Sequence, residues 1–121
     1  MGHKQLEIDC SPMDYQSALE RVGLDRDFLA ELIALYQSEF PNFCNRIQKA
    51  LESNDYSTVR MLAHSLKGSS NSLGFPGLGH ISKELEKAGD TQDHGSIERN
   101  LAVLLMEYRR VKSYLSNIKN D

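Results

Sequence analysis

Residues 62–74 read LAHSLKGSSNSLG, a stretch in which leucines recur at helical spacing while a histidine and a glycine occupy the polar side. At about 100° per residue, Leu62 and Leu66 each lie about 160° around a helix from His64, and Leu73 lies about 180° from it. A helix that buries these leucines in a core therefore turns His64 towards solvent. The stretch predicts an amphipathic helix that ends at Gly74 and exposes its histidine.

Similar apolar stripes occur before this stretch, separated by short breaks. We expect a first, short helix with Ser11 as its N-cap and Pro12 at its first position, ending at Gly23. Asp25 is the expected N-cap of the second helix, and Asp55 that of the histidine helix. Both predictions follow from the preference for aspartate where unpaired backbone N–H groups need an acceptor.

Two more helices are predicted after the histidine helix. The first is short and carries its apolar residues between positions 78 and 88, and a polar connection over residues 89–96 follows it. The last helix keeps an apolar stripe from residue 97 to residue 118. In the second helix Pro41 lies inside the stripe, where we expect a kink or a local break because proline lacks the backbone N–H.

Four substantial helices with short connections favour antiparallel packing of neighbours. We therefore predict an all-α fold, an antiparallel four-helix bundle with a short additional N-terminal helix. Residues 1–10 are interpreted as an N-terminal tail or cloning remnant, and residues 11–121 as the bundle domain.

Composition excludes several classes of function. The chain has 121 residues and a formal net charge of −3, so it suits one domain and is unlike a general binder of nucleic-acid backbones. No apolar run approaches the roughly 20 residues that span a membrane, and the N-terminus lacks the apolar segment of a signal peptide. We expect a cytoplasmic protein that binds neither nucleic acid nor membrane. No metal site is predicted, because His80 and Glu84 lack a third ligand.

The residues around His64 form a distinctive group. Five residues of the histidine helix lie within about 60° of His64 around the helix axis: Arg60, Met61, Lys67, Gly68 and Asn71. An exposed imidazole is mostly neutral at cellular pH and is then a nucleophile. Lys67, one turn away, supplies a cation that would stabilise a dianionic group on the ring.

Gly68 is the most informative of these neighbours. A glycine in a helix costs about 1 kcal/mol relative to alanine, so its presence beside His64 indicates that another molecule approaches closely. An accessible nucleophile, a cation and an open space are what a phosphoryl-accepting histidine needs, because phosphoryl transfer depends on positioning and charge neutralisation.

The segment AHSLKG at residues 63–68, followed by Leu73-Gly74, resembles the motif of the histidine-containing phosphotransfer (HPt) domain family. That motif is His-x-Leu-Lys-Gly with a later glycine that ends the helix. Asp55 before the histidine helix and Leu85-Glu86 on the next one also resemble family features. The resemblance covers almost the whole chain.

The resemblance implies a helical bundle that carries a phosphoryl group between receiver-domain aspartates in a two-component phosphorelay. It implies that His64 is phosphorylated, that Lys67 stabilises the charge and that Gly68 is the position of close approach. We expect Arg60, Met61 and Asn71 to contact the partner. No intrinsic cofactor is expected, and Mg²⁺ would come from the receiver domain.

Alternative functions remain open from the sequence. Gly74-Phe75 is also similar to the phosphoacceptor domain of chemotaxis histidine kinases, which would make an ATP-loaded kinase the phosphoryl donor. A helical module that only binds other proteins is a further alternative. For the phosphocarrier we expect a monomer without catalytic turnover of its own, whose partners are receiver domains of response regulators, a hybrid sensor histidine kinase, or both.

Overall fold

The computed structural model describes residues 11–119, and these residues form helices without any strand. In chain order the helices are α1, Tyr15–Arg21; α2, Arg26–Glu52; α3, Tyr56–Ser72; α4, Pro76–Asp90; and α5, His94–Lys119. The all-α prediction is confirmed. The predicted tail, residues 1–10, lies outside the described residues.

Aspartate side chains define where the first three helices begin. Asp25 and Asp55 accept hydrogen bonds from backbone N–H groups three residues on, as expected for N-caps. The expected start of α1 at Ser11 is wrong. Asp14 caps that helix by accepting from Ser17 N at 3.1 Å, while the Ser11 hydroxyl donates to the Met13 carbonyl.

The four long helices form a bundle in which each packs against the next and α5 returns against α2. Connections of three residues, at 53–55, 73–75 and 91–93, make consecutive long helices antiparallel. Their apolar faces meet in one core whose largest fully buried side chains include Phe40, Phe75, Leu29, Ile47, Leu66, Leu85 and Leu104. Within residues 11–119 no helix has the length and apolar character required to cross a membrane.

Helix α2 continues through Pro41, so the expected break is absent. Proline leaves the carbonyl four residues earlier, that of Gln37, without its helical donor. The hydroxyl of Tyr108 on α5 donates to that carbonyl at 3.1 Å, and the Tyr108 ring stacks on Phe40 with centroids 3.8 Å apart. A neighbouring helix thus satisfies the group that the proline leaves free.

Helix α4 is longer than predicted. The sequence suggested a polar connection from Gly89 to Ser96, yet α4 extends to Asp90 and only residues 91–93 join it to α5. Gly89 is buried in the helix, and a Cβ there would lie 2.9 Å from the backbone nitrogen of Arg60 on α3. Gly89 therefore permits close helix packing and does not end the helix.

Gly74 ends α3 and also holds the N-terminal part of the chain in place. Its φ of +77° lies in the left-handed region, and a Cβ would approach the Asp14 carbonyl to 2.5 Å. The Asp14 N–H donates to the Gly74 carbonyl at 2.6 Å. This junction joins the start of α1 to the end of the histidine helix.

Candidate functional site

His64 lies near the middle of α3 with its ring in solvent. Its side chain is 63% exposed, whereas Leu62, Leu66 and Leu73 are buried. The face that points away from the leucines is therefore the face that reaches water, as the helical spacing predicts.

A carboxylate on the neighbouring helix holds the ring. Glu86 Oε2 on α4 lies 2.9 Å from His64 Nδ1, and Glu86 Oε1 lies 2.8 Å from Lys67 Nζ. The hydrogen bond from Lys67 and, to a smaller degree, that from His64 hold the pKa of the Glu86 carboxyl below its ordinary value. Glu86 is consequently ionised at neutral pH and acts only as an acceptor.

This contact selects one tautomer of the neutral imidazole. Because an ionised Glu86 can only accept, His64 Nδ1 must carry the hydrogen and donate it. His64 Nε2 then has a free lone pair. The nucleophilic nitrogen Nε2 is therefore free, while the contact of Nδ1 with Glu86 holds the imidazole ring in place.

Small residues on α4 explain how Glu86 reaches this position. Gly79, Ser82 and Gly89 are buried and lie on the same side of α4 as Glu86, from which they are seven, four and three residues away. A Cβ on Gly79 would collide with the Asn71 side chain, and one on Gly89 with the α3 backbone. Since α3 and α4 approach closely on both sides of Glu86, its carboxylate extends along the helix contact to His64 and Lys67.

Lys67 is less exposed than the histidine, with 28% of its side chain accessible. Its ammonium is bound to Glu86, one helical turn beyond His64. The structure thus brings His64 and Lys67 together through a third group. Sequence reasoning noted Glu86 only as a family feature and did not assign it to the site.

Gly68 is exposed, and a Cβ there would meet no atom within 4 Å. No contact within the described chain therefore requires a glycine at this position. Because Gly68 has no side chain, the surface beside the imidazole is free of protruding atoms at this position.

The three residues expected to contact a partner occupy different surroundings. Met61 is 54% exposed, and Arg60 is exposed at the edge of a pocket that Lys67 and Glu86 also line. Asn71 is exposed too, with its side chain against Gly79. All three surround the histidine face.

An apolar groove between α2 and α3 was not anticipated from the sequence. It encloses about 320 Å³, and its lining includes Leu32, Leu35 and Phe43 from α2 together with Leu66 and Ser69 from α3. Of these three α2 residues, only Phe43 belongs to the apolar stripe predicted for that helix; Leu32 and Leu35 lie beside the stripe, and Leu35 is 53% exposed.

Small side chains connect this groove with the histidine. Going around α3 from His64, Gly68 comes first at about 40°, then Ser72, Ser65 and Ser69 between about 80° and 140°. All four are exposed. C-terminal to His64 a partner meets only these small side chains on its way to the groove, while Met61, at about 60° and 54% exposed, lies on the N-terminal side of that path.

Comparison with known proteins agrees with this geometry. The profile of the Hpt domain family matches residues 31–120. The chain belongs to the Hpt domain family. Among curated proteins it is similar to histidine-containing phosphotransfer proteins 5 and 2 of Arabidopsis thaliana, with 28% and 25% identity over 97 residues. Each match covers 78% of this chain but only 62% of the relative's length.

Solved structures share the bundle. A histidine-containing phosphotransfer protein from Medicago truncatula superposes with a TM-score of 0.80 at 22% identity, over 98% of this chain and 84% of the other. The Hpt domain of a sensor hybrid histidine kinase from Shewanella gives 0.74 at 24% identity, over 89% and 93%. At these identities the superpositions establish the fold of this Hpt domain.

Proposed function

We propose that this Hpt domain is a phosphocarrier of a two-component phosphorelay, in which His64 Nε2 accepts a phosphoryl group from a receiver-domain aspartate and passes it to another receiver. The observation that carries the proposal is the exposed imidazole whose Nδ1–H is bound to an ionised carboxylate. Membership of the Hpt family supports it. We place the protein in the cytoplasm, as a monomer.

The site suits a reversible transfer. The Nε2 lone pair attacks the phosphorus of the aspartyl phosphate, the N–P bond forms, and the P–O bond to the receiver aspartate breaks. The aspartate leaves as a carboxylate, and the His64 ring retains its Nδ1 hydrogen and becomes positively charged. Glu86, 2.9 Å from Nδ1, stabilises that charge.

Lys67 provides the second charge interaction. In the unphosphorylated site its ammonium is bound to Glu86. A phosphoryl group on Nε2 brings a dianion within one helical turn of Lys67, which can then share its hydrogens between the carboxylate and the phosphoryl oxygens. Any Mg²⁺ would be held by the receiver domain.

A bundle with one transferable phosphoryl group has no turnover reaction of its own, so we class the protein as a carrier. We propose that a receiver docks over Gly68 and extends into the apolar groove beside α3. The accessible small residues between His64 and that groove support this orientation.

Incubation with a phosphorylated receiver domain tests the proposal. The chain should acquire phosphate that is labile to acid and stable to base, and His64→Gln should abolish labelling while the helical circular dichroism is retained. Label that survives this substitution would contradict the assignment of His64. Label obtained only from an ATP-loaded kinase domain would favour the kinase phosphoacceptor alternative.

A further inference from the structure

A basic pocket lies on the α4 side of His64, opposite to the apolar groove. It encloses about 350 Å³ and is lined by Arg60, Lys67, Lys83, Glu86, Lys87 and Asp90. Four cations against two carboxylates give this lining a formal charge of +2, whereas the whole chain carries −3. Positive charge is thus concentrated beside the histidine of an acidic protein.

Much of this charge has no partner within the described residues. Arg60 and Lys83 are exposed and make no side-chain hydrogen bond or ion pair within residues 11–119. Lys87 is 65% exposed and lies 3.8 Å from Glu84, a long contact at the surface. These three cations are therefore available to another molecule.

The pocket is directly connected to the proposed reacting group. Glu86 uses one oxygen to bind His64 and the other to bind Lys67, which is itself part of the pocket lining. A protein that brings a phosphorylated side chain to His64 Nε2 must place its adjoining surface over either this pocket or the groove on the other side of α3.

We propose that the basic pocket binds the acidic rim around the phosphorylation site of the receiver domain and so fixes the orientation in which the receiver docks. This inference rests on the proposed function. A receiver phosphorylated on aspartate needs further carboxylates to hold a divalent cation at the phosphate. The surface that approaches His64 is consequently rich in negative charge.

The apolar groove and the basic pocket, on opposite sides of His64, then contact different parts of the receiver. The apolar groove contacts apolar receiver residues on the α2 side, and Arg60, Lys83 and Lys87 attract carboxylates on the α4 side. Only one orientation of the receiver matches both surfaces. Charge complementarity of this kind raises association rates and disfavours incorrect docking.

The test compares two charge reversals in the full chain. The pocket variant combines Lys83→Glu with Lys87→Glu, and the control combines Arg46→Glu with Lys49→Glu. The control residues are exposed and line a separate pocket near the turn between α2 and α3, together with Ser53, Asp55 and Thr58. Lys87 and Lys49 each lie in the last turn of their helix, so the variants also match in their effect on a helix dipole.

The measured quantity is the second-order rate of phosphoryl transfer from a receiver that labels the wild-type chain. At about 0.1 M salt we expect the pocket variant to be about tenfold slower than wild type and the control to be nearly unchanged. At about 1 M salt, where the screening length falls to about 3 Å, the difference should largely disappear. Circular dichroism of both variants verifies folding, and the corresponding glutamine substitutions replace any variant that does not fold.

Equal rates for the pocket and control variants would overturn this inference and leave the phosphocarrier proposal intact. A defect that persists at high salt would also contradict it. Failure of phosphorylated receivers to label even the wild-type chain would instead contradict the proposed function itself.

Discussion

Replacing Gly68 by alanine should separate the stability of the bundle from its ability to dock a partner. The new Cβ meets no atom within 4 Å, so the folded chain accommodates it without strain. Alanine is favoured over glycine in a helix, mainly because it restricts the unfolded chain, and the expected gain is about 0.5–1 kcal/mol. For a domain of this size the melting temperature should rise by about 2–4 °C.

The same methyl group should slow phosphoryl transfer. Gly68 lies one helical turn from His64, on the surface that the receiver covers in the proposed docking. An extra methyl in a closely packed contact costs about 1–3 kcal/mol. If this free energy is lost from docking of the receiver, the transfer rate should fall by roughly 5- to 150-fold.

The assays are thermal unfolding followed by circular dichroism and single-turnover transfer from a phosphorylated receiver. Gly95→Ala is the control, because Gly95 lies in the first turn of α5 and away from the histidine face, and its Cβ would meet the flexible end of Arg99 at 3.3 Å. It should leave transfer unchanged. A destabilised Gly68→Ala variant would refute the claim that the folded chain leaves this space open. A stabilised variant with normal transfer would refute the close approach of a partner.

Two further predictions concern Glu86. The pKa of Glu86 is lower in the folded than in the unfolded chain, so its contribution to stability is complete above the unfolded value of about 4.3 and is lost as the pH falls through the folded value. The difference in melting temperature between wild type and Glu86→Gln should therefore be constant at neutral pH and shrink in acid. A difference that stays constant down to about pH 2 would contradict the ion pair between Glu86 and Lys67. Gly89→Ala should lower the free energy of unfolding by about 1–3 kcal/mol, because the added methyl group pushes α4 away from α3. Glu86 would move with α4, so ¹⁵N NMR should show a lower population of the His64 tautomer that carries its hydrogen on Nδ1. Unchanged ring shifts of His64 would show that close packing at Gly89 does not position Glu86.

Helix starts and helix faces were largely predictable because they depend on neighbours in sequence. Asp25 and Asp55 cap helices as expected, since the bonds they make reach only three residues along the chain. The exposure of His64 follows equally from the spacing of the leucines around it. The start of α1 was wrong because Ser11 and Asp14 both offer a capping oxygen, and the Asp14 backbone is held by Gly74 from a distant part of the chain.

Glycine and proline were harder to interpret because their roles depend on what lies beside them. Gly89 looked like the end of a helix, yet it lies inside α4 where the backbone of α3 passes close to it. Pro41 predicted a kink or a local break, yet α2 is not broken there, and the hydroxyl of Tyr108 on α5 donates to the carbonyl that the proline leaves without its helical donor. Neither contact can be deduced from the adjacent residues, because both come from another helix.

The residues of the candidate site were also predictable only where neighbours in sequence decide their position. His64, Lys67 and Gly68 lie within four residues of one another, so local helical geometry was enough to group them on one exposed face. Glu86, which selects the imidazole tautomer and binds the lysine, lies 22 residues from the histidine on another helix. The basic pocket and the apolar groove likewise combine residues from two helices. Periodicity determines which side of a helix faces water, but the rotation and separation of packed helices decide which charged groups meet there, and these depend on how all the side chains of the core fit together.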